Sequence, residues 1–139
     1  MRAVAERVVR GLVVLALLVD AGVHLALASD MQLAAPGGIG GGWLFRIQAV
    51  LALLAAGNLA LRPSRLAYLV AGAVALSAFV PALLYTYADV PAIGPVPAMH
   101  DPFWSAPKMI SALAEGLGAA GAMVGIGLTS RPVRDAPPG

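Results

Sequence analysis

Two ionisable residues lie within one of the most apolar stretches of the sequence. In VVLALLVDAGVHLALASD, residues 13–30, Asp20 and His24 are four positions apart, a spacing that places them on the same face of an α-helix. Insertion scales put the cost of a charged side chain at the bilayer centre at roughly 2.5–3.5 kcal/mol. We therefore expect a helix that carries both groups to turn them towards other helices and away from lipid.

The stretch KMISALAEG carries three further polar side chains that a helix would hold near one another. On a helical wheel Lys108 and Glu115 fall about 20° apart, with Ser111 about 60° away. At a rise of about 1.5 Å per residue, Asp20 and Glu115 lie about 12 and 15 Å from the ends of their segments. The two carboxylates are thus expected at similar depth, near the middle of the membrane, with His24 and Ser111 one layer above them.

Two other apolar segments add polar groups at the same end. The second begins with WLFRIQ, which contributes Arg46 and Gln48, and the third ends with SAFVPALLYTY, which contributes Ser77 and Tyr85. Because the first helix of an up-down bundle neighbours both the second and the fourth, these groups are expected to line one cavity that opens outwards. The predicted intramembrane polar cluster consists of Asp20, His24, Arg46, Gln48, Tyr85, Lys108, Ser111 and Glu115.

Two interpretations of this cluster remain open from the residues alone. Two carboxylates in a low dielectric do not both ionise readily, and together with a histidine they suit a proton relay or a ligand site. Alternatively, Lys108 or Arg46 reaches inwards and neutralises Asp20, and the cluster only joins the helices. Such polar contacts average about 0.6 kcal/mol in a bilayer.

Methionine and histidine at the same end raise the question of copper, because thioether and imidazole groups together suit that metal. Met31, Met99 and Met109 all fall on this side, and Met99 precedes His100 in AMHD, with His24 below. Their spacing is irregular, so we predict no metal site; His24, Met99 and His100 would be the participants if one existed. The sequence identifies no cofactor.

The elements that position these residues follow from composition. Of 139 residues, 60% are hydrophobic and 12% charged, where a soluble domain has about 25% charged residues; the mean hydropathy is +0.85. Four apolar segments, residues 8–28, 43–61, 66–87 and 105–129, each reach the length of about 20 residues that spans a bilayer, and within lipid they must be helical. We predict an all-α membrane protein, a single-domain up-down bundle of four transmembrane helices, with 130–139 as a flexible cytoplasmic tail.

Basic residues predict the orientation. Only Arg46 and Lys108 lie at one end of the predicted bundle, where five of the seven acidic residues are found. The other basic residues share the opposite end: Arg2, Arg7, Arg10, Arg62, Arg65, Arg131 and Arg134. The positive-inside rule then makes both termini cytoplasmic, and the Ala, Gly, Arg and Pro bias suggests a bacterial plasma membrane. A cleaved signal peptide ending at Ala26-Leu27-Ala28 is the alternative; the apolar stretch that resumes after Asp20 favours a retained helix.

Several function classes are excluded or disfavoured. The absence of cysteine excludes disulfides, thiolate nucleophiles and iron–sulfur clusters. Although the pI is about 9.5, the basic residues are scattered at helix ends and do not form the single face that nucleic acid requires. No nucleophile–base pair or metal triad is evident, which disfavours an enzyme.

The fourth segment also carries a small-residue face, formed by Ala114, Gly118, Gly121 and Gly125. Faces of this kind allow two helices to approach closely. The face could serve packing inside the bundle or an interface with another protein.

The helix plan resembles that of small four-helix bacterial integral membrane proteins, most of them uncharacterised. With Arg10-Gly11 before the first apolar core and the basic turn Arg62-Pro63-Ser64-Arg65 between the second and third, the layout is similar to the DoxX-like group. This resemblance implies a subunit associated with membrane redox complexes and quinone chemistry. The long loop YADVPAIGPVPAMHDPFWSAPK departs from that plan, and no functional residue is carried over.

Two functional hypotheses follow. The first is an accessory or scaffolding subunit of a membrane complex, motivated by the small size and the small-residue face, with the bilayer and a membrane-protein partner or a second copy as its contacts. The alternative is a small transporter or proton-linked relay that uses Asp20, His24, Glu115 and Lys108 in an outward-facing polar cavity.

Overall fold

Four long α-helices form the part of the chain that the computed structural model describes, residues 1–130. They are α1 (Arg2–Ala34), α2 (Gly41–Leu61), α3 (Arg65–Tyr87) and α4 (Ala106–Thr129). Each is long and apolar enough to cross a membrane, and together they pack as a bundle. The predicted all-α, four-helix membrane fold is therefore confirmed; the predicted tail, beyond Ser130, lies outside the described residues.

Helix α1 extends beyond both ends of the apolar segment 8–28. Its first turns, RAVAER, consist of good helix formers apart from Val4, and the Arg2 guanidinium donates a hydrogen bond to the Gly127 carbonyl oxygen at 2.9 Å. At the other end the helix stops just before Pro36, since the residue preceding a proline is disfavoured in helical conformation. Apolar composition marks the stretch that crosses lipid, whereas the helix itself continues through the polar flanks.

The four helices form a ring in which each packs against its two neighbours. Helix α1 packs mainly against α2 and α4, and α3 packs against α4 and α2, with little contact across the α1–α3 diagonal. This is the neighbour relation predicted for an up-down bundle. One end of the ring carries the α1–α2 and α3–α4 loops and is called the long-loop end; the other carries Met1 and the short turn 62–64 and is called the terminal end.

The half of the bundle towards the terminal end is filled by small apolar residues. Most of its buried positions are alanines, packed around Val13, Leu17 and Leu59. Tyr68 is fully buried here, and its hydroxyl donates a hydrogen bond to Glu6 Oε1 at 2.9 Å. The outward faces carry exposed leucine and valine side chains, as expected for surfaces that contact lipid tails.

Glycines allow close approaches between three pairs of helices. At the start of α2, a Cβ on Gly42 would lie 2.3 Å from the Ala28 carbonyl oxygen of α1. On α4, a Cβ on Gly125 would overlap the Tyr68 ring, and one on Gly121 would lie 2.8 Å from Val13 Cγ2. The small-residue face of α4 is thus used for packing inside the bundle, the first of its two predicted roles.

The two loops at the long-loop end contact each other and form what we call the loop cap, residues 35–40 and 88–105. The longer loop is closed by two antiparallel bridges, between Val90 and Met99 and between Ile93 and Val96. The Ile39 amide of the shorter loop donates a hydrogen bond to the Pro95 carbonyl oxygen at 2.9 Å. The proline-rich loop is therefore an ordered cover over this end of the bundle.

Candidate functional site

Three ionisable side chains from two helices meet inside the bundle, and we call them the acid–histidine triad. Asp20 and His24 come from α1 and Glu115 comes from α4. One ligand-type atom from each side chain lies within 4.8 Å of the other two. Asp20 is only 1% exposed and Glu115 only 2% exposed. The two carboxylates that the sequence placed at similar depth are thus brought together with the histidine.

Asp20 is held on both sides of its carboxylate. Its Oδ1 lies 2.7 Å from His24 Nδ1, and its Oδ2 accepts a hydrogen bond from Gln48 Nε2 at 2.9 Å. The same imidazole nitrogen lies 3.0 Å from the Asp20 carbonyl oxygen, in hydrogen-bonding geometry. Oδ1 therefore has a close charge contact but no directional hydrogen bond among the described residues.

Gln48 connects this site to a third helix. Its Nε2 also donates to the Val74 carbonyl oxygen of α3 at 3.1 Å, and its Oε1 accepts from Ser77 Oγ at 3.0 Å. The close approach that Gly42 permits places α2 near enough to α1 for this contact. One amide side chain therefore joins α1, α2 and α3 around Asp20.

Glu115 has one satisfied oxygen and one unsatisfied oxygen. Oε1 accepts a hydrogen bond from Ser111 Oγ, one turn earlier on α4. Oε2 is buried and has no hydrogen-bond partner within residues 1–130. Buried polar atoms in proteins are nearly always paired, since an unpaired one loses its hydration without replacement. This oxygen needs a proton, a donor or a cation.

A cavity of about 440 Å³ extends from the triad towards the loop cap. Its walls are mostly apolar and include Leu27, Phe45, Leu51 and Pro81. Its polar lining consists of His24, Gln48, Ser77, Tyr85, Asp101, Ser105, Lys108, Ser111 and Glu115. The volume falls in the range of roughly 300–1,000 Å³ that is typical of small-molecule sites.

The cavity ends at the triad. One turn deeper on α1, Leu17 is 1% exposed, and on α4 Ala119 and Ala122 are also buried. These side chains belong to the close-packed apolar core of the terminal half. In this conformation the site is closed towards the terminal end.

The two predicted cations do not neutralise Asp20. Lys108 Nζ lies 3.1 Å from Asp101 Oδ2 at the cavity wall and 5.2 Å from the centroid of the Trp104 ring. Arg46 lies 5.3 Å from the centroid of the Trp43 ring and lines a separate shallow groove, not the cavity. The ionisable side chain that faces Asp20 is that of His24.

Six residues of the predicted cluster line the cavity, namely His24, Gln48, Tyr85, Lys108, Ser111 and Glu115. Asp20 lies directly behind them, hydrogen-bonded to Gln48, and Arg46 is the one member that lies elsewhere. Three polar lining residues, Ser77, Asp101 and Ser105, are not members of the predicted cluster. Ser77 was named with Tyr85 in the third segment, whereas Asp101 and Ser105 are in a loop, whose position no helical spacing reveals.

Only some of the methionine and histidine residues considered as copper ligands lie in the cavity. Met31 and Met99 line the cavity together with His24. His100 is exposed and its Nδ1 contacts the Ala88 carbonyl oxygen at 3.1 Å, outside the cavity. Met109 is 45% exposed on the outer face of α4. The structure therefore brings together two thioethers and one imidazole, and not the full set.

Comparison with known proteins gives no relative: no protein-family model matches the chain, no curated protein is significantly similar to it, and no solved structure matches it. The similarity of layout to the DoxX-like group gains no support. What the helices establish is a multi-pass membrane protein in contact with the lipid bilayer.

Proposed function

We propose that the protein exchanges protons for a small cation at the acid–histidine triad, as a small transporter of the membrane. The observation that carries the proposal is the pair of buried carboxylates, Asp20 and Glu115, at the base of a cavity of about 440 Å³. Intramembrane acids and histidines of this kind commonly handle protons or ions.

Charge explains why a cation is the ligand. When Asp20 and Glu115 are both ionised and His24 is neutral, the triad holds two negative charges in a low dielectric, which is costly. Protons can compensate these charges, and so can a bound cation. The other titratable groups that face the cavity are Tyr85, Lys108 and Asp101. Lys108 and Asp101 form a salt bridge with each other, so their charges are already compensated.

The subunit hypothesis has lost one of the observations that motivated it, the small-residue face. Its small-residue face lies inside the bundle, where Gly118 faces Ala16 and Ala75, Gly121 faces Val13, and Gly125 faces Tyr68. The DoxX-like similarity, which also pointed to a subunit, has no support from the comparisons. Proton–cation exchange is a more specific form of the alternative hypothesis of the sequence analysis, a small transporter or proton-linked relay, and the cavity supports it.

Proton release on cation binding tests the proposal. The protein in lipid nanodiscs, in weakly buffered solution with a pH indicator, is mixed with Zn²⁺ or with benzylammonium as cation probes. We expect at least one probe to release protons from the native protein and none from the double variant Asp20→Asn, Glu115→Gln. The matched control is Asp30→Asn, which removes an exposed carboxylate of α1.

Release that persists in the double variant would contradict the proposal, and so would the absence of release with both probes. Size-exclusion chromatography and helical circular dichroism show whether each variant folds. If the double variant fails to fold, Glu115→Gln alone replaces it, because it keeps the contacts of Gln48 with Asp20.

A further inference from the structure

We propose that the acid–histidine triad binds a divalent transition-metal ion, with one carboxylate oxygen each from Asp20 and Glu115 and one imidazole nitrogen from His24 as ligands. The inference rests on the proposed proton–cation exchange and names the cation. Three protein ligands leave further coordination positions open towards the cavity, as in metal sites that exchange or react with small molecules.

The first argument is the convergence of the three ligand-type atoms. All lie within 4.8 Å of one another. Nitrogen and oxygen ligands at about 2.0–2.2 Å from a zinc ion can be no more than about 4.4 Å apart. Small rotations of the side chains are therefore enough to bring the triad around one ion.

The second argument is that two carboxylate oxygens of the triad lack a hydrogen bond, an observation separate from the convergence of the three ligand-type atoms. Within residues 1–130, Glu115 Oε2 is buried and unpaired, and Asp20 Oδ1 lies 2.7 Å from His24 Nδ1 but has no directional hydrogen bond. Both atoms belong to side chains that are at most 2% exposed. A metal ion between the two carboxylates would give Glu115 Oε2 a partner and Asp20 Oδ1 a directional bond.

The third argument is charge. A dication bound by two carboxylates and a neutral imidazole makes a site with no net charge, which is the cheapest state inside a bilayer. An organic ammonium ion would leave one negative charge uncompensated. It can only donate a hydrogen bond to the imidazole lone pair, whereas a metal ion accepts that lone pair in a coordinate bond.

Neighbouring side chains hold each ligand in place. Gln48 Nε2 holds the outer oxygen of Asp20, and Ser111 Oγ holds Oε1 of Glu115. The His24 ring packs against Phe45, with ring centroids 4.6 Å apart, and contacts the Asp20 carbonyl oxygen through Nδ1. Ligands of protein metal sites are usually oriented by such outer contacts.

The ligand types select the class of metal. One imidazole and two carboxylates favour Zn²⁺, Fe²⁺, Mn²⁺ or Co²⁺ over Ca²⁺ and Mg²⁺, which prefer oxygen alone. Copper(I) prefers thioethers or thiolates. Met31 and Met99 line the cavity but are not part of the triad, so the site differs from the copper arrangement considered from the sequence.

Zinc titration tests the inference. The full-length protein, without a polyhistidine tag and in lipid nanodiscs, competes with a fluorescent zinc indicator at pH 7.5. We expect one tight Zn²⁺ per chain, an affinity that falls as the pH is lowered because protons compete for the ligands, and at least a 10-fold loss of affinity in Glu115→Gln.

Two further variants test whether the zinc ion binds at the triad or elsewhere in the chain. Gln48→Leu leaves all three ligands in place but removes the contact that orients Asp20, and we expect an affinity loss of about 10–100-fold. His100→Ala removes the only other histidine, which is exposed, and should leave the affinity unchanged. If Glu115→Gln does not fold, Ser111→Ala replaces it and should also weaken binding.

The outcomes distinguish this inference from the function on which it rests. Absence of stoichiometric zinc binding, or binding that His100→Ala abolishes and Glu115→Gln leaves intact, overturns the metal site. If zinc fails but benzylammonium binds with proton release, the metal is wrong and the proton–cation exchange stands. If neither probe binds, both proposals fail.

Discussion

At the scale of single residues, Gln48 organises the polar interior. Its amide gives both its donor and its acceptor to other helices, with contacts to Asp20, Val74 and Ser77. A glutamine can do this because it carries both a donor and an acceptor at the end of one side chain. Without it, Asp20 Oδ2 would be a further buried oxygen in need of a partner.

We therefore predict that Gln48→Leu destabilises the bundle. Loss of its three contacts should lower the free energy of unfolding by about 1–2 kcal/mol, since interhelical polar contacts in bilayers average about 0.6 kcal/mol. Ser77→Ala is the matched control: it removes one contact to Gln48 and should cost less than half as much. Unfolding in mixed micelles by SDS titration, followed by tryptophan fluorescence, measures both. Equal losses in the two variants would show that Gln48 is not the central contact.

At the scale of helices, glycine positions decide how closely α1 and α2 approach. A Cβ on Gly42 would lie 2.3 Å from the Ala28 carbonyl oxygen and 2.7 Å from Gln32 Cβ, whereas a Cβ on Gly57 of the same helix meets nothing within 4 Å. Gly42 lies less than two turns before Gln48. The closeness of the helices at Gly42 therefore also sets the contact between Gln48 and Asp20.

We predict opposite effects for alanine at these two glycines. Gly42→Ala should destabilise the bundle by about 1–3 kcal/mol, because the backbone of α1 must move to avoid the new methyl group. Gly57→Ala should be neutral or stabilising by up to about 1 kcal/mol, because alanine is the better helix former. The same SDS titration compares them. A stable Gly42→Ala variant would mean that α1 and α2 do not approach as closely as the structure places them.

At the scale of the whole molecule, the bundle is polar in one half and closed in the other. The cavity and the triad occupy the half that faces the loop cap, while alanines with Leu59 and Tyr68 fill the rest. The exchange that we propose therefore takes its cation from the side of the long-loop end in this conformation. Which compartment that is depends on the orientation in the membrane.

We predict that the long-loop end faces outwards. Because the chain has no cysteine, single cysteines can report orientation without background. In intact cells, a membrane-impermeant maleimide should label Ala92→Cys, which is exposed in the loop cap, and should not label Pro63→Cys, which is exposed in the short turn. The basic residues around that turn favour the cytoplasm.

After cell lysis both variants should be labelled, which controls for reactivity. The reverse pattern, with Pro63→Cys labelled in intact cells, would invert the orientation and place the cavity opening in the cytoplasm.

The sequence alone determined the elements and their depths. Apolar runs of membrane-crossing length predicted four helices, and all four are present. The rise of a helix per residue is constant, so spacing also predicted that Asp20 and Glu115 share a depth and that the polar groups gather in one half of the bundle. These properties follow from the sequence of each single helix and from the alternating direction of successive helices across the membrane.

Only the tertiary structure decided which side chains meet. The rotation of each helix about its axis is set by the packing at Gly42, Gly121 and Gly125. This packing turns Arg46 away from the cavity. It also brings Glu115 close to Asp20 and His24. Asp101, which forms the salt bridge with Lys108, lies in the loop between α3 and α4 and not in a helix. Such contacts are made between residues far apart in the sequence and depend on how the helices and loops pack. The spacing of residues along one helix does not predict that packing.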